Sequence, residues 1–401
     1  MNEWVWLIGG SIMAVPTALE IKQRGYKLLV TDLDPDSPCR QLADRFELIS
    51  VYDAQANLSL AKRLDFRPVA VLTAGTDAGV EVATVAAYFN LPGIHPQIAK
   101  QVRNKGMMRD IIKAEYPRFR VGVTMDHFRG WDIYPCGVKP VDAAGSKGFS
   151  VVCKEDELSP ALVKARMANR GNISPVLVEE LLIPQNVIPG LQFDTAEIAL
   201  DFLVYEGKVT WINGALRLFW KNKPGIEAGH FNPYCPDDSI IEQVQNAAGK
   251  LGVKFGSLKV DFMQDARYGW VIQEMATRSS GGFDSSYTAP LATGKNVVGA
   301  ILDVYLGQPI DPEKLTPKRD RVACCYAPIL KPGKIAGWIK PTKALEEVAY
   351  IFTNDKDGEI KPLESNADRA LFVICDAPTR EEALEKCLRV AEQVKPLYEE
   401  E

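Results

Sequence analysis

A chain of 401 residues with 46% apolar side chains is long enough for two to four domains with substantial cores. Its 47 basic and 52 acidic side chains leave a formal charge of −5, which argues against a dedicated nucleic-acid binder but leaves room for local cationic clusters around an anionic ligand. The segment Met1–Ile8 has no basic region ahead of an apolar stretch, and no apolar run approaches the ~20 residues of a membrane span, so a soluble cytoplasmic protein with no membrane partner is expected.

The eight scattered cysteines include no C-x-x-C pair, and with three histidines a zinc site of conventional spacing is not expected. Val5–Ile8 reads as a buried strand, Gly9-Gly10-Ser11 as a turn into a helix reaching about Arg24, and Lys27–Asp32 as a second strand ending on an acid. Val69–Thr73 reads as another strand and Asp77–Phe89 as another helix. This alternation predicts an open parallel sheet over the first hundred residues. The Gly9-Gly10 turn lacks the G-x-G-x-x-G spacing of a dinucleotide site and reads as a tight strand-to-helix passage.

From about Asn104 to Leu306 the pattern turns β-rich. Strands are predicted over Val176–Leu182, Ala196–Tyr205 and Lys208–Ile212, the last two joined by a Glu206-Gly207 hairpin turn. Pro309–Pro317 is a connection, Val322–Ile329 and Leu371–Ile374 are apolar strands, and a helix over Arg380–Val394 is capped by Thr379 with Glu382 placed for a capping box.

Two segments carry chemistry. In Gly137-Val138-Lys139-Pro140 a strand delivers a lysine, and the small loop beyond it ends Gly145-Ser146-Lys147-Gly148. Glycines let backbone N–H groups approach phosphate oxygens while a lysine supplies a point charge, although the Walker A spacing is absent. In Lys259–Met263 and Gly269–Gly282, two strands joined near Asp265–Gly269 would face Asp261 and Glu274, hard carboxylates of the kind magnesium selects. Arg278 comes next, placed to offset charge on a transferring phosphoryl group.

In this order the motifs resemble the ATP-grasp superfamily, in its carboxylate–amine (amino-acid or peptide) ligase branch, along nearly the whole chain. The resemblance implies an α/β architecture: an N-terminal open parallel sheet domain (1–103), an ATP-grasp domain of two α+β subdomains (104–310) and a small C-terminal α/β domain (311–401). It implies ATP with Mg2+ or Mn2+. Lys105 and Lys139 would be the nucleotide lysines, and Gly145, Ser146, Lys147 and Gly148 the loop over the phosphates. Glu179, Glu180, Leu181 and Leu182 would form the adenine hinge, with Glu179 near the adenine amino group, and Glu197 would hold the ribose. Asp261 and Glu274 would be the metal ligands, and Arg278, with Lys139, the catalytic residue at the acyl phosphate. Ala276 stands where an asparagine often completes the metal site, which puts a second metal in doubt.

Within the segment Leu216–Tyr234, which resembles the family's substrate region, Arg217 is a candidate grip for a substrate carboxylate. His230 reads equally as a substrate contact or a structural histidine. Ser279, Gly281 and Gly282 would present hydroxyl and backbone N–H groups to the reacting carboxylate. The implied reaction is ADP-forming C–N ligation: a small carboxylate activated as an acyl phosphate and joined to an amine, in a homodimer. A different acceptor (carboxylating or thiol-ligating) and a non-catalytic nucleotide-binding relative are the alternatives.

Overall fold

A computed structural model describes residues 2–143, 147–168, 175–342, 346, 348–354 and 358–399. Four parallel strands open the chain: β1 (Trp4–Ile8), β2 (Lys27–Asp32), β3 (Arg45–Leu48) and β4 (Pro68–Leu72), in the order β3-β2-β1-β4. The run Val5–Ile8 is fully buried, as a parallel strand covered on both faces must be. Helices α1 (Val15–Gln23), α2 (Ala54–Ala61) and α3 (Gly79–Tyr88) connect these strands to one another and to the central region of the chain.

The Gly9-Gly10 turn is packed rather than open. The Asp32 carboxylate accepts from the Gly10 N–H at 2.7 Å. A side chain at Gly10 would lie 2.2 Å from Ser37 Oγ, so glycine is required by close approach.

Helices α4 (Pro96–Arg103) and α5 (Lys105–Ile112) lead into a small antiparallel sheet, order β5-β8-β6-β7. Its strands are β5 (Phe119–Gly122), β6 (Cys136–Pro140), β7 (Ser150–Val152) and β8 (Val176–Glu180), backed by α6 (Leu158–Ala168). Beyond it lies a large sheet of nine strands. It comprises β9 (Phe193–Asp194), β10 (Glu197–Tyr205), β11 (Lys208–Trp220), β12 (Glu227–Asn232), β13 (Phe255–Asp265), β14 (Gly269–Ala276), β15 (Val322–Tyr326), the later Tyr350–Thr353 strand and Leu371–Ala377.

Helix α7 (Asp238–Leu251) and the closing helix Arg380–Gln393 share the core of this sheet. Thr379 caps the latter, accepting from the Glu382 N–H at 3.2 Å. Strand β11 runs eight residues beyond the predicted Ile212, through Trp220, because its far half pairs with β12. The predicted Val322–Ile329 strand ends at Tyr326, two residues before Pro328, whose ring cannot donate to a ladder.

A short α8 (Ala289–Thr293) precedes α9 (Val297–Tyr305), which is buried along its whole length and so reads as apolar on every face. It lies in a core that joins the parallel sheet to Leu203 and Ile212 of the large one. Arg24 pins it, donating to Asp303 at 2.6 Å and to the Gly299 carbonyl at 2.9 Å. The first hundred residues are thereby fixed against the sheet that carries the acidic pair. Among the described residues no helix is long and apolar enough to cross a membrane.

Candidate active site

A cavity of about 360 Å³ lies between the small sheet and the large one. Its lining includes Lys105, Lys139, Lys147, the stretch Glu179–Leu182, Glu197 and Glu274. Residues far apart in sequence therefore converge on one space. Gly145 and Ser146 lie outside the described residues. Gly148 has the left-handed φ of +74°, where a side chain would be strained.

The cationic end is built on α5, β6 and β8. Asn104 caps α5, accepting from the Met107 N–H at 3.0 Å, which sets Lys105 as its first residue. Lys105 Nζ donates to the Ala143 carbonyl at 2.7 Å and meets Glu274 Oε1 at 3.2 Å. One turn on, Arg109 is on the same helix face and is only 1% exposed. It meets Glu179 at 2.7 Å and donates to the Gln273 carbonyl at 3.0 Å. Lys139 approaches the other oxygen of Glu179 at 2.6 Å.

Burial alone would push the Glu179 carboxyl up, but Arg109 and Lys139 outweigh it and hold the group below the usual carboxylate range. Lys139 moves down, because burial disfavours its charge more than Glu179 restores it. The Glu179 carboxylate is thus committed to two cations. Glu180, next along the strand, points its carboxylate the other way, to Arg267 at 2.7 Å, the Tyr268 hydroxyl at 3.0 Å and Arg118 at 3.2 Å. Leu182, two residues further on, has a backbone N–H and C=O that take no partner among the described residues. That is the edge a planar ring with adjacent donor and acceptor would complete.

The acidic end is the β13–β14 hairpin, where Asp261 and Glu274 are direct register partners across the two strands. Lys259 pairs with one oxygen of Asp261; the other is buried without a hydrogen bond. Burial opposes ionisation of Asp261, yet Lys259 and Arg217 hold its pKa below the ordinary value. Glu197 is adjacent: burial first, then the Asp261 charge, push its carboxyl up to about 7. Among the described residues no three His, Cys, Asp or Glu side chains gather into a metal cluster, so the pair is what the chain itself offers. Two hard carboxylates side by side, Glu274 in the cavity lining and Asp261 across the strands from it with a buried oxygen that makes no hydrogen bond, fit magnesium or manganese completed by phosphate and water.

Arg278 is outside the lining of this cavity. It donates to the Ser279 carbonyl at 3.1 Å, lies 3.8 Å from Asp77, and keeps a buried Nε without a hydrogen bond. Arg217 is paired with Glu227 at 2.7 Å, and this neighbour holds the Glu227 carboxylate far below its usual range against the cost of burial. His230 is 2% exposed, with Nε2 2.9 Å from Thr288 Oγ1 and Nδ1 3.7 Å from Glu227, so both ring nitrogens face protein. Ser279 is buried, and the turn beyond it closes onto the N-terminal loops. Gly282 N–H points to Met13 Sδ at 3.0 Å, and a side chain at Gly281 would lie 2.8 Å from the Gly75 carbonyl.

Sequence motifs assign no role to Arg109, although its four-residue offset from Lys105 is a usable signal. They also pass over a buried polar group beside the Ser279–Gly282 turn. There Asp201 accepts from Ser280 N–H and Oγ at 2.7 and 2.9 Å, and Asn213 donates to Asp284 at 2.7 Å. Burial, then the Asp284 charge, raise the Asp201 carboxyl to about 6.

A parallel sheet locked to a large antiparallel one, with a nucleotide-sized cavity roofed by a small sheet, is the ATP-grasp fold, and this chain has it. No family model matches the chain. Formate-dependent phosphoribosylglycinamide formyltransferase of Chlorobaculum tepidum is 23% identical over 192 residues, 45% of this chain and 47% of that protein. The chain thus spans about half the length of the curated relatives it matches first. Among solved structures, L-amino acid ligase from Bacillus licheniformis aligns with a TM-score of 0.81 at 20% identity, covering 100% of this chain and 99% of that one. Phosphoribosylglycinamide synthetase from Anaerococcus prevotii aligns at 0.76 and 17%, covering 100% of both.

Proposed function

We propose that this protein is an ATP-dependent ligase that activates a small carboxylate as an acyl phosphate, releasing ADP, and couples it to an amine. The observation that carries this reading is the shared cavity: Lys105, Lys139 and Glu274 line it together with Leu182, whose backbone is unpartnered, and Asp261 is the cross-strand partner of Glu274. Leu182 would pair with the adenine edge and Glu197 with the ribose hydroxyls. Lys105, Lys139 and Lys147 would meet the phosphates. Asp261 and Glu274 would hold magnesium or manganese, which when bound supplies positive charge at the phosphate oxygens.

In the first step a carboxylate oxygen of the substrate bonds to the γ-phosphorus, and the bond from that phosphorus to the β,γ-bridging oxygen breaks, leaving ADP. In the second the amine attacks the acyl carbon, loses a proton, and the acyl C–O bond breaks to free phosphate. The chain's part is position and electrostatics. Lys139 orients the transferring group, and Arg278, outside the nucleotide lining and with a donor to spare, offsets charge on the acyl side. The loop carrying Lys147 would exclude water from the acyl phosphate.

The test is release of ADP and phosphate from ATP across pairs of small carboxylates and amines, with mass spectrometry of products. Turnover that needs both and yields an amide supports the reading. Turnover on bicarbonate or a thiol alone assigns another acceptor. Absence of ATP binding by calorimetry removes the nucleotide assignment altogether.

A further inference from the structure

A second cavity, of about 290 Å³, lies behind the hinge and shares no lining residue with the first. Its floor is apolar: Ile272 and Ala247 are buried side chains facing it. Its walls are aromatic, with the Tyr116 and Tyr268 rings stacked at 3.7 Å and Trp270 beside them. Two lysines, Lys113 and Lys250, stand among its lining residues. Lys250 donates to the Ile112 carbonyl at 2.6 Å, while Lys113 has no ion pair or hydrogen-bond partner among the described side chains. The only acidic lining residue, Glu115, is engaged by the Tyr116 hydroxyl.

Lys113 also holds a left-handed backbone, φ 57° and ψ 48°, where it ends α5. Glycine takes that position without steric cost, whereas a lysine there carries strain of about 1–2 kcal/mol. Backbone strain of this kind persists where the surroundings hold a residue in place for a use. An uncommitted cation over an apolar, aromatic-walled space suits a flat ring bearing a negative charge.

The same wall touches the hinge. Tyr268 donates to Glu180 at 3.0 Å. Arg267 lies over the Tyr268 ring at 4.6 Å and donates to Glu180 at 2.7 Å and to the Leu181 carbonyl at 3.1 Å. Glu180 and Leu181 line the nucleotide cavity. A shift of Tyr268 therefore bears directly on the hinge.

We propose that this rear cavity is a second ligand site, which takes a one- or two-ring aromatic carboxylate and alters nucleotide affinity through Tyr268 and Glu180. The nucleotide half rests on the reading of the first cavity above; occupancy of the rear cavity does not.

Calorimetry of the full chain without nucleotide, using indole-3-acetate as the probe, tests occupancy. One saturable site is expected, weakened at least about tenfold by Lys113→Glu and by Asn246→Trp, which fills the space from an exposed position on α7. Tryptamine, the same ring with a positive charge, is expected to bind at least about tenfold more weakly. No saturable binding, equal binding of tryptamine, or indifference to Asn246→Trp would each overturn the site. ADP titrations with and without saturating indole-3-acetate then test the coupling. A change of about fivefold or more, reciprocal between the two ligands and lost in Tyr268→Phe, is expected. Unchanged ADP affinity overturns the coupling, whereas failure of ADP to bind at all counts against the first cavity's assignment and leaves the rear site standing on its own titration.

Discussion

Arg109→Met tests how the cationic end is held together. The substitution keeps much of the stem but removes the contact to Glu179 at 2.7 Å and the bond to the Gln273 carbonyl at 3.0 Å. Glu179, 8% exposed, is left with Lys139 alone. A buried charge left wholly uncompensated costs about 3–5 kcal/mol, and with Lys139 retained the loss here should fall at or below the lower end of that range. At roughly 2–4 °C per kcal/mol for a domain of this size, the melting temperature should fall on the order of 10 °C. Glu179→Gln alone leaves Arg109 and Lys139 without their carboxylate instead, and a double-mutant cycle with Arg109→Met isolates the coupling.

The pH dependence has a definite sign. Burial raises and the two cations lower the Glu179 pKa, with a net depression below 4.5. Its contribution is therefore present above about pH 4.5 and lost as pH falls through the folded value. In Arg109→Met burial is less opposed, so the gap between wild type and variant should narrow on acidification. Thermal denaturation followed by circular dichroism, nucleotide-free, at neutral and acidic pH, measures all of this. A loss under about 1 kcal/mol, or strictly additive losses in that cycle, would refute the reasoning.

Asp261→Asn and Glu274→Gln should each abolish magnesium-dependent turnover while leaving the thermal transition cooperative; full activity in both removes them from the site. Arg278→Ala should lower kcat on the order of a hundred- to a thousandfold with ADP affinity nearly unchanged by calorimetry, since its charge is met in the transfer. Loss of nucleotide affinity with kcat intact would place Arg278 at the nucleotide instead. Glu197, pushed up to about 7 from an ordinary 4.5, is expected to take up a proton on folding. Its stabilisation is full below about pH 4.5 and lost as pH rises through 7, on the order of 3 kcal/mol, so Glu197→Gln should flatten the stability profile across that window. Light scattering at micromolar concentration should return a homodimer; a monomer contradicts that expectation.

The acidic pair was legible only to within one residue: from Asp265 opposite Gly269 a regular ladder puts Asp261 opposite Gln273, and a bulge between Asp261 and Phe262 brings Glu274 there instead. The buried parallel strands were legible because continuous apolar runs have few other uses. The expected strand end at Ile212 falls short of β11, which carries Asn213-Gly214 through its interior. In the fold Gly214 is there for closeness, since a side chain would meet the Tyr234 carbonyl at 2.3 Å. The partners of Glu179 and Arg217 were not legible. Arg109 reaches Glu179 and Arg369 approaches Glu227 across long stretches of sequence, contacts that only tertiary packing creates. The pairing of β12 with β15, which joins residues 322–326 to the large sheet, is equally non-local.

The donor count at the cationic end separates the roles of its three bases. An ammonium has three donors and a guanidinium five. Arg109 directs its guanidinium to Glu179 and to the carbonyls of Ile272 and Gln273, and its Nε is enclosed without a partner. It lines the cavity with its guanidinium turned to these protein partners, and acts by placing Glu179. Glu179 in turn takes one donor of Lys139 and leaves two, while Lys105, held by Ala143 and Glu274, keeps one. Three cations against Glu179 and Glu274 leave one formal positive charge at this end, and the other charged lining residues, Lys147 and Lys221 against Glu180, Asp194 and Glu197, leave one negative, so the lining is formally neutral. A triphosphate adds further negative charge. Under the proposed reading the shortfall is the physical reason for a divalent cation at Asp261 and Glu274.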